Sequence, residues 1–360
     1  MVAPQHHPQR LSKPSQPSRI GTLGKRETTK EPWRFLGKLR RFSAIKGQRL
    51  CGLFALGETL DIEIDLDKKA ISAVRGAAMC NRRTCPVCSR RRTAEAVERI
   101  QRGEQRMRRE DPSLRAVFLT LTIPHSRDDD LGELLDVLAR AWNRLRATST
   151  WKRAGVGAYV RGLDITHGQN GWHPHYHIAI WCTSLTGIEG LRGAWSAALK
   201  REGRTATKAA FRADVVGGEV GAAGTYCVPA LELASIQTKR ANGGGLAPGQ
   251  MLNAAIAGDK RAIALWRELE VETQGRRWLS FSRSFPKLPE TEEAPETEEA
   301  PEPRLMTLTV SQAFWLAINR LELLDDLIFE AGKNEGWLLS VAHQSARQPR
   351  WLPRLLRPAA

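Results

Sequence analysis

His173, His175 and His177, in the stretch GWHPHYHIAIW (171–181), are the side chains best suited to chemistry in this chain of 360 residues and eight histidines. On an extended strand alternate side chains share a face. These three therefore point one way, while Pro174, Tyr176 and Ile178 point the other. Neutral imidazoles held this close make good metal ligands, because protonating all three would bring like charges together. The preceding segment VGAYVRGLDIT (156–166) reads as a strand, and GQNG between the two has hairpin-turn composition. Counting back through that turn brings Asp164 level with the His173–His175 region, on whichever face the register sets. Two imidazoles and a carboxylate suit a divalent cation with open positions, Mg²⁺ or Mn²⁺ where phosphate completes the shell. A histidine-lined core and a structural zinc site are the alternatives at this point.

A second group is Cys80, Cys85 and Cys88, spaced C-x4-C-x2-C, with Cys51 upstream. Six cysteines in a chain this long do not make a disulfide framework, and the grouping suggests metal in a reducing cytoplasm. A CxxC turn directs both thiolates inward, as tetrahedral Zn²⁺ requires. A redox role is the competing reading, but RRTCPVCSRRR opens a basic helix without a preceding βαβ pattern. Cys182 and Cys227 read as ordinary buried thiols.

These groups need elements to hold them. Residues 1–30 form a Pro-, Gln- and Lys/Arg-rich arm with little periodicity. The alternation in DIEIDLD reads as a strand, Ser89–Glu110 as a basic helix stopped at Asp111-Pro112, and AVFLTLTIP (116–124) as a strand. Leu131, Leu134, Leu135, Leu138, Trp142 and Leu145 mark one face of an amphipathic helix. After the histidine strand come a helix at about 187–202, a strand near FRADVV and helices near 219–236, 250–275 and 307–345. The expected fold class is α+β: a mostly antiparallel central sheet flanked by helices, with an N-terminal zinc-binding element and a small helical C-terminal tail.

The net charge is +16 from 55 Lys+Arg against 39 Asp+Glu, and PETEEAPETEEAPEP (289–303) places seven glutamates in one low-complexity linker. The remainder is more basic still, which suits a polyanion because each cation placed on a phosphate releases condensed counterions. No apolar run reaches the roughly 18–20 residues of a spanning helix, and no apolar leader follows the polar N-terminus. A membrane partner is not expected, and the expected location is the cytoplasm. Arg90, Arg91, Arg92, Arg99 and Arg102 on the basic helix form either a track for DNA phosphates or a solvated face.

HPHYH resembles the His-hydrophobic-His signature of the HUH endonucleases, specifically the plasmid rolling-circle replication initiators of the single-tyrosine kind. FLTLTIPHS (118–126) is similar to their first motif and GLDITHGQNGWHPHYHIAIW (162–181) to their second. The likeness continues through 238–282 and covers roughly residues 50–285. It implies that His175 and His177 are the metal-ligand pair, that Asp164 is the acidic ligand where glutamate is usual, and that the central sheet carries this motif. His173 is left as a third ligand, a supporting residue or a plain strand residue. Similar initiators have the cysteine cluster with a fourth cysteine upstream, the position of Cys51.

The resemblance further implies a tyrosine nucleophile that nicks one strand of origin DNA, leaving a 5′-phosphotyrosyl bond and a free 3′-hydroxyl primer. Tyr226, in EVGAAGTYCVPALELA, lies where the family's third motif belongs, downstream of Tyr159 and Tyr176. The family usually has lysine three residues later, and here that position is Pro229. In single-tyrosine members a glutamate can activate water for the terminating cleavage. Glu219 is the candidate, although the family spacing is shorter, and a carboxylate at a helix N-terminus is its plainer reading. No G-x-x-x-x-G-K-[ST] stretch occurs, so helicase and polymerase are expected from the host.

The expected organisation is a basic arm (1–32), a zinc-binding basic region (33–112), an endonuclease domain (113–285), an acidic linker (286–305) and a helical tail (306–360). A relaxase or transposase of the same superfamily would share this chemistry. A non-enzymatic zinc-containing DNA-binding regulator would explain the charge and the cysteines but not three aligned histidines.

Overall fold

The computed structural model describes residues 32–216, 230–235, 245–287, 304–320, 322–333 and 336. The basic arm up to residue 31, linker residues 288–303 and the segment holding Glu219 and Tyr226 lie outside the described residues.

Helix α1 (Pro32–Leu39) buries Trp33, Leu36 and Leu39 at helical spacing, and a short helix α2 (Lys46–Arg49) leads to Cys51. The DIEIDLD alternation becomes β1 (Thr59–Asp65), which pairs antiparallel with β2 (Ala70–Arg75). Helix α3 (Pro86–Glu110) starts three residues earlier than the sequence pattern suggests. Pro86 occupies its first turn, where the missing N–H costs nothing, and the chain leaves the helix at Asp111 in extended conformation. Glu98–Arg102 (3.0 Å), Glu104–Arg108 (2.9 Å) and Arg106–Glu110 (2.9 Å) are i,i+4 ion pairs along it.

The central sheet begins with β3 (Arg115–Thr122). It is followed by α4 (Leu131–Ala147), α5 (Ser149–Arg153), the hairpin β4 (Val156–Gly168) and β5 (Gly171–Cys182), α6 (Ile188–Arg201) and β6 (Phe211–Val216). Helix α7 (Ala230–Ala234), helices α8 (Pro248–Ile256) and α9 (Lys260–Glu272) and strand β7 (Leu279–Phe281) complete it. Strand order is β6-β3-β5-β4-β7, and every neighbouring pair is antiparallel. The histidine strand is therefore the middle one. It needs apolar cover on both faces, which explains why its apolar residues are continuous. One face carries Ile178 and Ile180 against α4 and α6, where all six expected α4 residues are buried. The other carries Ala179 and Trp181 against Ile100 of α3, Leu233 of α7 and Phe285.

Two expectations are corrected. The helix read across 250–275 is two helices. Gly258 takes φ +97°, and Asp259 accepts the amide of Ala262 (2.9 Å) to start α9. The tail expected to be helical from 307 opens with strand β8 (Leu305–Ser311), ahead of α10 (Gln312–Arg320) and α11 (Leu324–Ala331). Met306, Leu308 and Val310 alternate with polar residues, a period of two that favours a strand. β8 pairs antiparallel with β1, giving the order β2-β1-β8. Trp315 Nε1 then donates to the Gly52 carbonyl (2.6 Å), and Gln312 Nε2 to that of Leu53 (2.8 Å), so the C-terminal piece is built into the cysteine region.

Candidate functional site

The tight hairpin sets the register of β4 on β5, placing Asp164 opposite His175 and Gly162 opposite His177. One ligand atom from each of Asp164, His175 and His177 lies within 4.8 Å of the others, and all three residues are buried. The Nε2 atoms of His175 and His177 are 3.1 Å apart, and Asp164 Oδ2 lies 3.4 and 3.6 Å from them. The orientation is built from behind. Asp164 Oδ1 accepts the Ile165 amide at 2.9 Å, which turns Oδ2 towards the rings. His175 Nδ1 lies 3.3 Å from the His173 carbonyl, which can only accept, so Nδ1 carries the proton and Nε2 the lone pair. His177 Nδ1 sits 3.3 Å from Thr120 Oγ1, and Phe118 stacks on its ring with centroids 5.4 Å apart. Imidazole nitrogens and a carboxylate oxygen converging on one point concentrate negative potential, so this donor set fits a divalent cation.

His173 does not join the group. Its Nδ1 lies 3.3 Å from Nδ1 of His125, and the two rings are 4.7 Å apart. Burial, with help from His175 and His125, lowers its pKa to about 4, so it is neutral near pH 7. The histidine pattern alone did not identify His125 and Thr120 as neighbours of this cluster. Both belong to FLTLTIPHS, and β3 brings that segment alongside β5, with Thr120 opposite His177. Tyr176 and Tyr159 lie on the other side of the sheet, packed around Trp142. Glu219 and Tyr226 are outside the described residues. Ala230, four positions beyond Tyr226, packs with Leu233 and Ala234 on the Asp164 face.

The four cysteines also meet. Sγ of Cys51 is 3.6 Å from Cys88 and 3.7 Å from Cys85, and Cys80 is 3.7 Å from Cys88. Four thiolates around a tetrahedral ion with bonds of ~2.3 Å require edges of about 3.8 Å. The cluster could therefore hold a metal ion. Cys85 caps α3 and Cys88 lies in its first turn, where the helix dipole favours a thiolate. Hydrogen bonding within the cluster, from Cys51 first, pulls the Cys88 thiol down and pushes that of Cys85 up. Arg40 donates to the Cys51 carbonyl (2.8 Å), and burial lowers its own pKa to about 10 against the pull of Cys51 and Cys85. Arg90, Arg91 and Arg92 are all exposed, and the last two bond Asn81 of the cysteine loop. Buried Glu270 ties this module to the central domain. It accepts Ser43 Oγ (2.8 Å), the Ala44 amide (2.8 Å), Gln48 Nε2 (2.7 Å) and Trp266 Nε1 (2.9 Å).

An antiparallel α+β domain with a buried His₂Asp group and a four-cysteine group is thus the class defined by the fold and its sites. Residues 72–184 match a family model described as "Replication protein". A "Protein rep" of Streptomyces lividans is 26% identical, over 59% of this chain and 64% of its own length. Proteins of that name from Streptococcus pneumoniae and Lentilactobacillus hilgardii are each 27% identical, over 30% and 28% of this chain. The chain thus spans less than two thirds of the length of these curated relatives: 64%, 34% and 32%. No solved structure matches it. These likenesses support the resemblance to plasmid rolling-circle replication initiators. No helix among the described residues is long and apolar enough to cross a membrane.

Proposed function

We propose that this protein initiates plasmid rolling-circle replication by nicking one strand of origin DNA in a divalent-metal-dependent, HUH-type reaction. The observation that carries the reading is the convergence of Asp164, His175 and His177 on one point, with orienting hydrogen bonds to each. A Mg²⁺ or Mn²⁺ ion held there would supply Lewis acidity to the phosphoryl oxygens of the scissile bond. Asp164 and the two rings are pre-oriented, so little reorganisation accompanies binding. Tyr226 Oη attacks phosphorus as its phenol proton passes to solvent, the P–O3′ bond breaks, and the leaving 3′-oxygen takes a proton from solvent to become a hydroxyl.

Glu219 is the candidate to activate water for the terminating cleavage. With Pro229 at the usual lysine position, another cation must hold the phosphate near Tyr226. A structural Zn²⁺ at Cys51, Cys80, Cys85 and Cys88 would hold the start of α3, whose exposed Arg90, Arg91 and Arg92 present charge to the origin backbone. Host helicase and polymerase act on the opened strand, in the cytoplasm.

The test is to trap a covalent protein–DNA adduct on supercoiled origin DNA with Mn²⁺. The wild type and Tyr159→Phe should form it, whereas Tyr226→Phe, His175→Ala and His177→Ala should not. An adduct that persists in Tyr226→Phe sinks the assignment of the nucleophile. Origin binding without nicking by the wild type sinks the enzymatic reading.

A further inference from the structure

On the sheet face opposite His175 and His177, a cavity of about 630 Å³ opens between α4, β4 and β7. Its volume falls in the range of small-molecule sites, ~300–1,000 Å³. Its lining contains five arginines, Trp142, Tyr159, Tyr176 and Phe281, and no carboxylate. Two of the arginines are already engaged. Arg276 pairs with Asp136 (2.6 Å), and Arg146 donates to Tyr159 Oη (3.1 Å) and Asn143 (2.7 Å). The other three, Arg161, Arg277 and Arg283, make no ion pair with a carboxylate among the described residues. Arg161 is half-buried, its guanidinium lies 4.2 Å over the Tyr176 ring, and its buried Nε has no hydrogen-bond partner.

A partly desolvated guanidinium close to Arg146 and Arg277, in a lining with no carboxylate, is costly unless an anion joins it. Arginine's planar fork matches phosphate oxygens, and aromatic walls accept a base on their faces. We propose that this cavity binds a nucleotide, its phosphate on Arg161, Arg277 and Arg283 and its base against the half-buried ring of Tyr159. The site is separate from the His₂Asp group, because Tyr176 faces it while its neighbours His175 and His177 face the other way. It stands whether or not the protein nicks DNA. The nucleotide has two possible sources, a free mononucleotide or one unit of a DNA strand. A second cavity of about 250 Å³ shares Arg276 and Arg277 and adds Arg82, Arg83 and Arg92 against one carboxylate, Glu270, so its lining is also predominantly basic.

Calorimetric titration of the full chain with inorganic phosphate, thymidine monophosphate and an eight-residue oligo-dT tests this. Arg161→Gln and the surface double variant Arg277→Gln/Arg283→Gln should each weaken nucleotide binding about tenfold or more. Lys152→Gln, which removes an exposed charge elsewhere, should not. Monophosphate binding that falls in these variants supports the proposal with a free nucleotide as ligand. Binding of oligo-dT alone, with the same losses, supports it with a strand nucleotide. Inorganic phosphate binding as tightly as the monophosphate overturns the base-binding half. Unchanged affinities in Arg277→Gln/Arg283→Gln, or an equal loss in Lys152→Gln, overturn the whole. The double variant decides the matter if Arg161→Gln does not fold.

Discussion

Gly162 lies two residues before Asp164, opposite His177, with its missing side chain directed at α7. A Cβ built there would stand 2.4 Å from the Leu233 carbonyl oxygen and 3.1 Å from Leu233 Cα. Real Cβ contacts begin near 3.0 Å, so α7 would have to retreat by roughly 0.6 Å at least. The obstacle is backbone and cannot swing aside as a side chain would. Moving α7 also strains the bond from Arg83 Nη1 to the Ala234 carbonyl (2.8 Å). Overpacking of this kind costs ~1–3 kcal/mol, equivalent to roughly 5- to 150-fold in the folded-to-unfolded ratio. Urea unfolding followed by tryptophan fluorescence should show the midpoint of Gly162→Ala lowered by ~0.3–1 M at a slope near 3 kcal/mol/M. Gly157→Ala, on the same strand with its nearest atom 3.7 Å away, is the control and should stay within about 0.5 kcal/mol of wild type. Equal midpoints for all three proteins would show that α7 does not pack on Gly162 as described.

Two further outcomes follow from the geometry. Cys51→Ser should lower bound metal and melting temperature together, by about 10 °C for a loss of several kcal/mol, and a strong chelator should do the same to wild type. Full metal content in Cys51→Ser would remove it from the ligand set. Separately, Arg204 grips Asp129 through two bonds (2.8 and 3.1 Å) and holds its carboxyl down at about 2. Because the folded value is depressed, the pair's contribution is full above the unfolded value near 3.8 and is lost as pH falls towards about 2. Arg204→Gln should therefore melt earlier than wild type at pH 6, with the gap closing near pH 2. A gap independent of pH refutes the pairing.

Much of the His₂Asp group was legible because it depends on local rules. Period-two alternation put His175 and His177 on one face, and the short GQNG turn left little freedom in where Asp164 could pair. The cysteines carried their own spacing signal, and Cys51 closes the cluster through the turn after α2. His173 was ambiguous in sequence because its partner, His125, arrives from a different strand. The basic cavity was illegible for the same reason, since Arg161, Arg277 and Arg283 come from separate segments that only the folded sheet assembles. β8 carries a short local signal, the alternation of Met306, Leu308 and Val310, but the helical residues that follow it dominate the tail, and its pairing with β1 far upstream is beyond the reach of any local pattern.

Pairing of β8 with β1 also dictates an order of events during synthesis. The ribosome must add roughly 240 residues after Asp65 before Leu305 can pair with it. At ~5–20 residues per second this takes about 12–50 s. Through that interval one edge of β1 stays open beside Leu60, Ile62 and Ile64, the sort of strand that recruits other chains. Asp61 and Glu63 interleave with those three residues. While the nascent chain waits, their charges act as gatekeepers, and only afterwards does Asp61 receive the Thr309 hydroxyl (2.7 Å). The acidic half of DIEIDLD thus guards the open edge of β1 until β8, the last strand among the described residues, has been made and the apolar half packs.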